Sequence, residues 1–148
     1  MTLRFVVTSS AHPPATDLLG ALYDEYDAAA GRILRGGPSA EPSDFTPPRG
    51  TFLLAYEHDQ AVACGGLKTL GPGVAEVKRM YVVPRARRRG VGRALLIALE
   101  DHARSMRFAS VRLDCERHNW PLYRAAGYVE IGDYNDNPFA DHWAEKHL

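Results

Sequence analysis

The sequence predicts an α/β (α+β) protein built on a mixed central sheet of about six to seven strands with about three to four helices. Three observations carry that expectation. Strand-like runs separated by turn residues fill positions 51–83. A strand, a basic glycine-punctuated loop and an amphipathic helix then follow one another from Ala75 to Arg107, and a further alternating run, Ser110 to Cys115, comes directly after the helix. Two strands joined by a helical crossover pair in parallel, so an antiparallel N-terminal part should give way to a parallel pair after the loop.

Each element has its own justification. Leu3 to Val7 is a short apolar run that reads as a first or edge strand, stopped by Pro13-Pro14. Leu18, Leu19, Leu22, Tyr23 and Tyr26 recur at helical spacing, predicting a helix from Thr16 to about Ala30 with Thr16 or Asp17 as its N-cap. Arg35 to Gly50 holds three Gly, four Pro and two Ser, which predicts a loop with at most one short helical turn. Thr51 to Glu57 and Ala61 to Thr69, joined by His58-Asp59-Gln60, read as a hairpin; Gly65-Gly66 inside it marks a bulge or a close backbone approach. Gly71-Pro72-Gly73 turns the chain into a third strand, Val74 to Val83, which Pro84 ends.

Leu95, Leu99, His102 or Ala103, and Met106 then share one face of a helix from about Val91 to Arg107. Ser110 to Cys115 has the period of a strand. Pro121 near its start and Gly127 at its end bound a short helix containing Leu122 and Tyr123. Tyr128 to Tyr134 and Trp143 to Leu148 are the last strand candidates, joined by Asn135-Asp136-Asn137-Pro138. No repeat is visible, and one domain over residues 1–148 is expected.

Composition narrows the function classes. No apolar run approaches the roughly 18 residues needed to span a bilayer, and the N-terminus lacks the apolar core of a secretory signal, so a cytoplasmic protein without a membrane partner is expected. Cys64 and Cys115 stand apart in apolar surroundings and read as buried free thiols. The six histidines show no metal spacing, and no metal is expected. Formal net charge is zero, which argues against a nucleic-acid partner. The charge is nevertheless uneven: Lys78 to Arg93 holds seven basic residues and no acid, whereas Asp17 to Asp44 holds six acids against Arg32 and Arg35.

The basic stretch is chemically the most informative. In Arg85-Ala-Arg-Arg-Arg-Gly-Val-Gly-Arg93, side-chain-free Gly90 and Gly92 let an anion approach main-chain N–H groups at a helix start, where the dipole adds positive charge. Such a loop suits phosphate.

Three segments in order carry a resemblance to a known family: Arg87-x-x-Gly90-x-Gly92, the preceding Ala75-Glu-Val-Lys-Arg-Met-Tyr-Val-Val-Pro84, and Asn119 with Leu122-Tyr123-x-x-x-Gly127-Tyr128. Over roughly Ala75 to Tyr128 the chain resembles the GCN5-related N-acetyltransferase (GNAT) superfamily. Trp120-Pro121 departs from the small residues common between that family's Asn and its Leu-Tyr pair. The resemblance implies the GNAT fold and an acetyl-CoA-dependent N-acetyltransferase that passes an acetyl group directly to a primary amine. It implies that acetyl-CoA is the cosubstrate, its pyrophosphate held by Arg87, Arg88, Arg89, Gly90, Val91, Gly92 and Arg93. Met80, Tyr81 and Val82 would meet the pantetheine and flank the thioester, and Asn119 would hydrogen-bond the cofactor arm. Tyr123 matches the family's acid that protonates the departing thiolate, and Glu76, eleven residues before Arg87, matches a general base. A homodimer is a common arrangement in that family.

For several of these residues a structural reading stands beside the catalytic one. Tyr123 also fits a core tyrosine, Glu76 a strand carboxylate paired with Lys78, and Asn119 a helix cap. The acids Asp24, Glu25 and Asp27 lie in a segment that lines the acceptor cleft of the family, which points to a small cationic amine as acceptor, while an exposed, solvated helix face explains the same acids. The alternative is a non-catalytic acyl-CoA sensor or regulatory module, which would need the phosphate loop and no acceptor.

Overall fold

The computed structural model describes residues 2–31 and 40–148. Their seven strands are β1 (Arg4–Val7), β2 (Gly50–Glu57), β3 (Gln60–Gly71), β4 (Val74–Val82), β5 (Ser110–Cys115), β6 (Val129–Ile131) and β7 (His142–His147). They form one mixed sheet in the order β1-β2-β3-β4-β5-β7-β6. All neighbours are antiparallel except β4 and β5, the parallel pair expected from the crossover. Three α-helices accompany them: α1 (Ala15–Ala30), α2 (Val91–Ser105) and α3 (Trp120–Ala125).

Strand alternation sorts the side chains onto two faces. Leu53 and Ala55 of β2, Ala63 of β3, and Val111 and Leu113 of β5 pack with Leu95, Leu96 and Leu99 of α2. The interleaved Phe52, Leu54 and Cys64 pack instead with Leu18, Leu19 and Leu22 of α1 and with Phe45. Both cysteines are buried and unpaired. Among the described residues no helix is long and apolar enough to cross a membrane.

Several boundaries differ from expectation for local reasons. Pro14, not Thr16 or Asp17, occupies the N-cap of α1 without a side-chain cap bond; its carbonyl accepts the amides of Asp17 and Leu18. Asp17 instead sits in the first turn, where its charge complements the helix dipole. Helix α2 stops at Ser105 because Arg107 takes a left-handed conformation, φ 67°. Strand β6 ends at Ile131 rather than reaching Tyr134, since the Asp133 carboxylate accepts the amides of Asn135 and Asp136 and curls the chain into a loop. Of the loop expected over Arg35 to Gly50, residues 35–39 lie outside the described residues; the remainder contains one short 3-10 turn, Pro42–Phe45.

Two features of β4 shape the region beyond it. Its pairing with β5 is confined to Val74, Ala75 and Glu76 opposite Ser110, Val111 and Arg112, so from Val77 onward the two strands diverge. On its other edge, Cys64 faces Tyr81 while Gly66 faces Lys78, which leaves Arg79 and Met80 opposite Gly65 alone. That is a β-bulge, with Arg79 at φ 60°.

Candidate active site

The divergence of β4 from β5 opens a cleft of about 510 Å³. Val77, Lys78, Arg79 and Met80 form one wall, and Asp114, Cys115 and Glu116 at the end of β5 the other. Tyr23 and Tyr26 of α1 close one side, and residues 135–140 of the loop between β6 and β7 another. Asn119 and Tyr123 line the same cleft.

At the mouth of α2, Gly90 holds the N-cap position in a left-handed conformation, φ 80°, and Arg88 precedes it at φ 61°. No side chain caps the helix. The amides of residues 88–93 have no acceptor among the described residues, a run of donors aimed by the helix start and its dipole. This cradle fits a pyrophosphate. A β-carbon on Gly90 would meet nothing within 4 Å, so its glycine answers a backbone need; one on Gly92 would approach Leu122 to 3.5 Å.

The loop arginines divide into two groups. Arg87 donates from Nε to the Val82 carbonyl at 2.8 Å and from Nη2 to both oxygens of Glu25 at 2.9 and 2.6 Å, with its guanidinium over the Tyr81 ring. Arg89 donates to Glu57 at 3.3 and 2.6 Å. These contacts tie the loop to β4, α1 and β2, whereas Arg88 and Arg93 are exposed with no ionic partner among the described residues. Arg88 and Arg93 thus keep a side-chain charge that no carboxylate among the described residues offsets.

The other predicted residues fall as follows. Met80 lines the cleft at the bulge, while the Tyr81 ring turns to the α1 face and packs in its core. Asn119 stands at the N-cap of α3 but makes no side-chain cap bond, and it lines the cleft. Trp120, the unusual neighbour, stacks on His142 at 5.0 Å and 13°. Tyr123 is 6% exposed, its ring edge-on to Tyr128, and its hydroxyl has no hydrogen-bond partner among the described residues. Burial raises its pKa above the ordinary 10.0, assisted by Cys115, Tyr26 and Asp114.

Glu76 is 3% exposed and is not in the cleft wall. The Tyr134 hydroxyl donates to one of its oxygens at 2.5 Å, and Lys78 lies 3.6 Å from the other. The acid cluster of α1 is likewise engaged: Glu25 holds Arg87, and neither Asp24 nor Asp27 lines the cleft.

What the sequence reading missed is the opposite wall. Asp114 accepts the side-chain amides of Asn135 at 2.5 Å and Asn137 at 3.3 Å, fixing the loop over the cleft. Glu116 is partly exposed, its Oε2 lying 3.7 Å from His118 Nδ1. Together these acids help raise the Tyr26 hydroxyl to about 12, although burial is the larger cause. Cys115 also lines the cleft, but burial and the carboxylates of Asp114, Asp141, Glu130 and Glu116 push its thiol up to about 12. Cys64, on the far face of β3, is pushed up to about 12 by burial. Neither thiol is a thiolate nucleophile at neutral pH.

Comparison with known proteins adds to this geometry. The acetyltransferase (GNAT) family profile matches residues 18–128. A protein of Azospirillum brasilense named "IAA acetyltransferase" is 30% identical over 144 residues, covering 90% of this chain and 94% of that relative. A GNAT-family acetyltransferase of Staphylococcus aureus Mu50 superimposes with a TM-score of 0.78 at 14% identity, over 99% of both chains. A GNAT-family acetyltransferase of Elizabethkingia anophelis with acetyl-CoA bound superimposes with a TM-score of 0.71 at 16% identity, over 99% of this chain and 98% of that one.

Proposed function

Because the chain belongs to the acetyltransferase (GNAT) family, we propose that it transfers an acetyl group from acetyl-CoA directly to a primary amine of a small molecule. The observation that carries this reading is the run of open amides at 88–93 beside a cleft into which Tyr123 faces. A neighbour in fold that holds acetyl-CoA supports the same donor.

When bound, acetyl-CoA supplies the acetyl group and a thiolate leaving group. The amides of residues 88–93 hold its pyrophosphate, with Arg88 and Arg93 adding charge. The β4 main chain from Val77 onward, which β5 does not pair, meets the pantetheine arm, and Asn119 meets it from the opposite side. Main-chain donors at Met80 to Val82 polarise the carbonyl under attack. Tyr123, kept protonated by burial, gives its proton to the departing sulfur. The incoming amine must shed a proton. Glu116 collects it through water, since both oxygens of Glu76 and both of Asp114 are already engaged. With both thiols held protonated, no acetyl-cysteine stage is invoked.

The test is Tyr123→Phe, which preserves the packing and removes the proton. Turnover should fall by about 100-fold or more, while acetyl-CoA affinity stays within about threefold of the parent. An unchanged rate at saturating substrates would remove Tyr123 from the acid role.

A further inference from the structure

Arg79 is the cation that the mechanism above leaves unused. It sits at the bulge of β4 in a left-handed conformation, φ 60°, unusual for a residue with a side chain. Its guanidinium lies 5.3 Å from the centre of the Phe45 ring and 5.9 Å from that of Tyr23, and its Nη2 donates to the Ala40 carbonyl at 2.7 Å. Those contacts fix its position without neutralising its charge. Lys78 on the same wall pairs with Glu76, but no carboxylate pairs with Arg79 among the described residues. Its Nε and Nη1 have no acceptor among them either. Arg79 lines the cleft, and a part-buried guanidinium with donors to spare suits a planar anion.

The opposite wall carries Glu116 and Asp114, so the cleft is dipolar, cationic along β4 and acidic at the end of β5. Two of its lining aromatics, Tyr26 at 38% and Phe139 at 43% exposure, present uncovered ring surface. We infer that the acceptor is an amino acid, its carboxylate on Arg79, its amine toward Glu116 and an apolar or aromatic side chain against Tyr26 and Phe139. The inference rests on the transferase reading. It follows the geometry of the bulge, because Arg79 directly precedes Met80, where the main chain is proposed to meet the thioester. Gly66 sustains the arrangement by leaving room for Phe45, whose ring supports the guanidinium.

Matched pairs of acceptors test this: L-phenylalanine against 2-phenylethylamine, and L-leucine against isoamylamine, differing only by the carboxylate. The amino acid should be acetylated with a kcat/KM roughly 10- to 100-fold higher than its decarboxylated partner, the difference lying in KM. Arg79→Met should abolish that preference, and Arg79→Lys should restore part of it. Equal use of both members of each pair by the parent protein overturns the inference, and this comparison decides the matter even if Arg79→Met fails to fold. The same pairs titrated by NMR without acetyl-CoA separate the two readings. Preferential binding of the amino acids with no acetyl transfer removes the transferase and leaves the acid-binding site standing. Transfer without discrimination removes the site and leaves the transferase, and no discrimination in either assay removes the site.

Discussion

Glu76 and Glu116 are like residues in unlike environments. Glu76 is buried behind the cleft wall, accepts the Tyr134 hydroxyl and faces Lys78, so its charge holds β4 and the loop after β6 together. Removing that charge leaves Lys78 and Tyr134 short of a partner inside the protein. Glu116 reaches the cleft with Oε1 unengaged among the described residues. Glu76→Gln should therefore lower the melting temperature by several degrees, matching a loss of about 1–3 kcal/mol. Glu116→Gln should leave melting nearly unchanged and lower kcat/KM by about tenfold or more. Differential scanning calorimetry and steady-state kinetics on both variants check this; the reverse pattern would return the base role to Glu76. The motif spacing placed Glu76 on β4 but held no information about Tyr134, 58 positions away. A charge count over α1 likewise held no information about Arg87, which takes Glu25.

At the level of elements, the consecutive glycines of β3 serve one face each. A β-carbon on Gly66 would lie 2.5 Å from the Phe45 ring on the α1 face, and one on Gly65 would lie 2.9 Å from Met80 Sδ and 3.0 Å from Leu99 on the α2 face. The bulge of β4 sits opposite Gly65, so bulge and close approach occur together where the sequence allowed either. Gly66→Ala should push Phe45 off its seat and cost about 1–3 kcal/mol, with Arg79 losing the support of that ring. Chemical denaturation measures the cost, and a change within about 0.5 kcal/mol would mean that Phe45 has room to retreat. Local patterning revealed these elements well: strand-like runs between turn residues marked β2 to β4, alternation marked β5, the apolar stripe marked α2, and Pro121 with Gly127 bounded α3. Its failures lay where a side chain competes with the ladder, as Asp133 does in ending β6.

At the level of the whole molecule, the parallel pair β4–β5 holds for three residues and then parts, and the chemistry is proposed to occupy the gap. The loop that opens α2 was legible because its determinants, Gly90, Gly92 and a helix start, are contiguous in sequence. The cleft was not, since Tyr26, Arg79, Glu116 and Phe139 come from four separate segments that only the folded sheet brings together. The central claim is that this gap and the amides at 88–93 bind acetyl-CoA, and equilibrium thermal unfolding with acetyl-CoA, desulfo-CoA and ATP added separately tests it most directly. At about 100 times the dissociation constant, a ligand that binds only the folded chain adds about 2.7 kcal/mol, which raises the melting temperature by roughly 5–10 °C. Acetyl-CoA and desulfo-CoA should both produce that rise and ATP a much smaller one; no rise with either CoA species at millimolar concentration would contradict the claim.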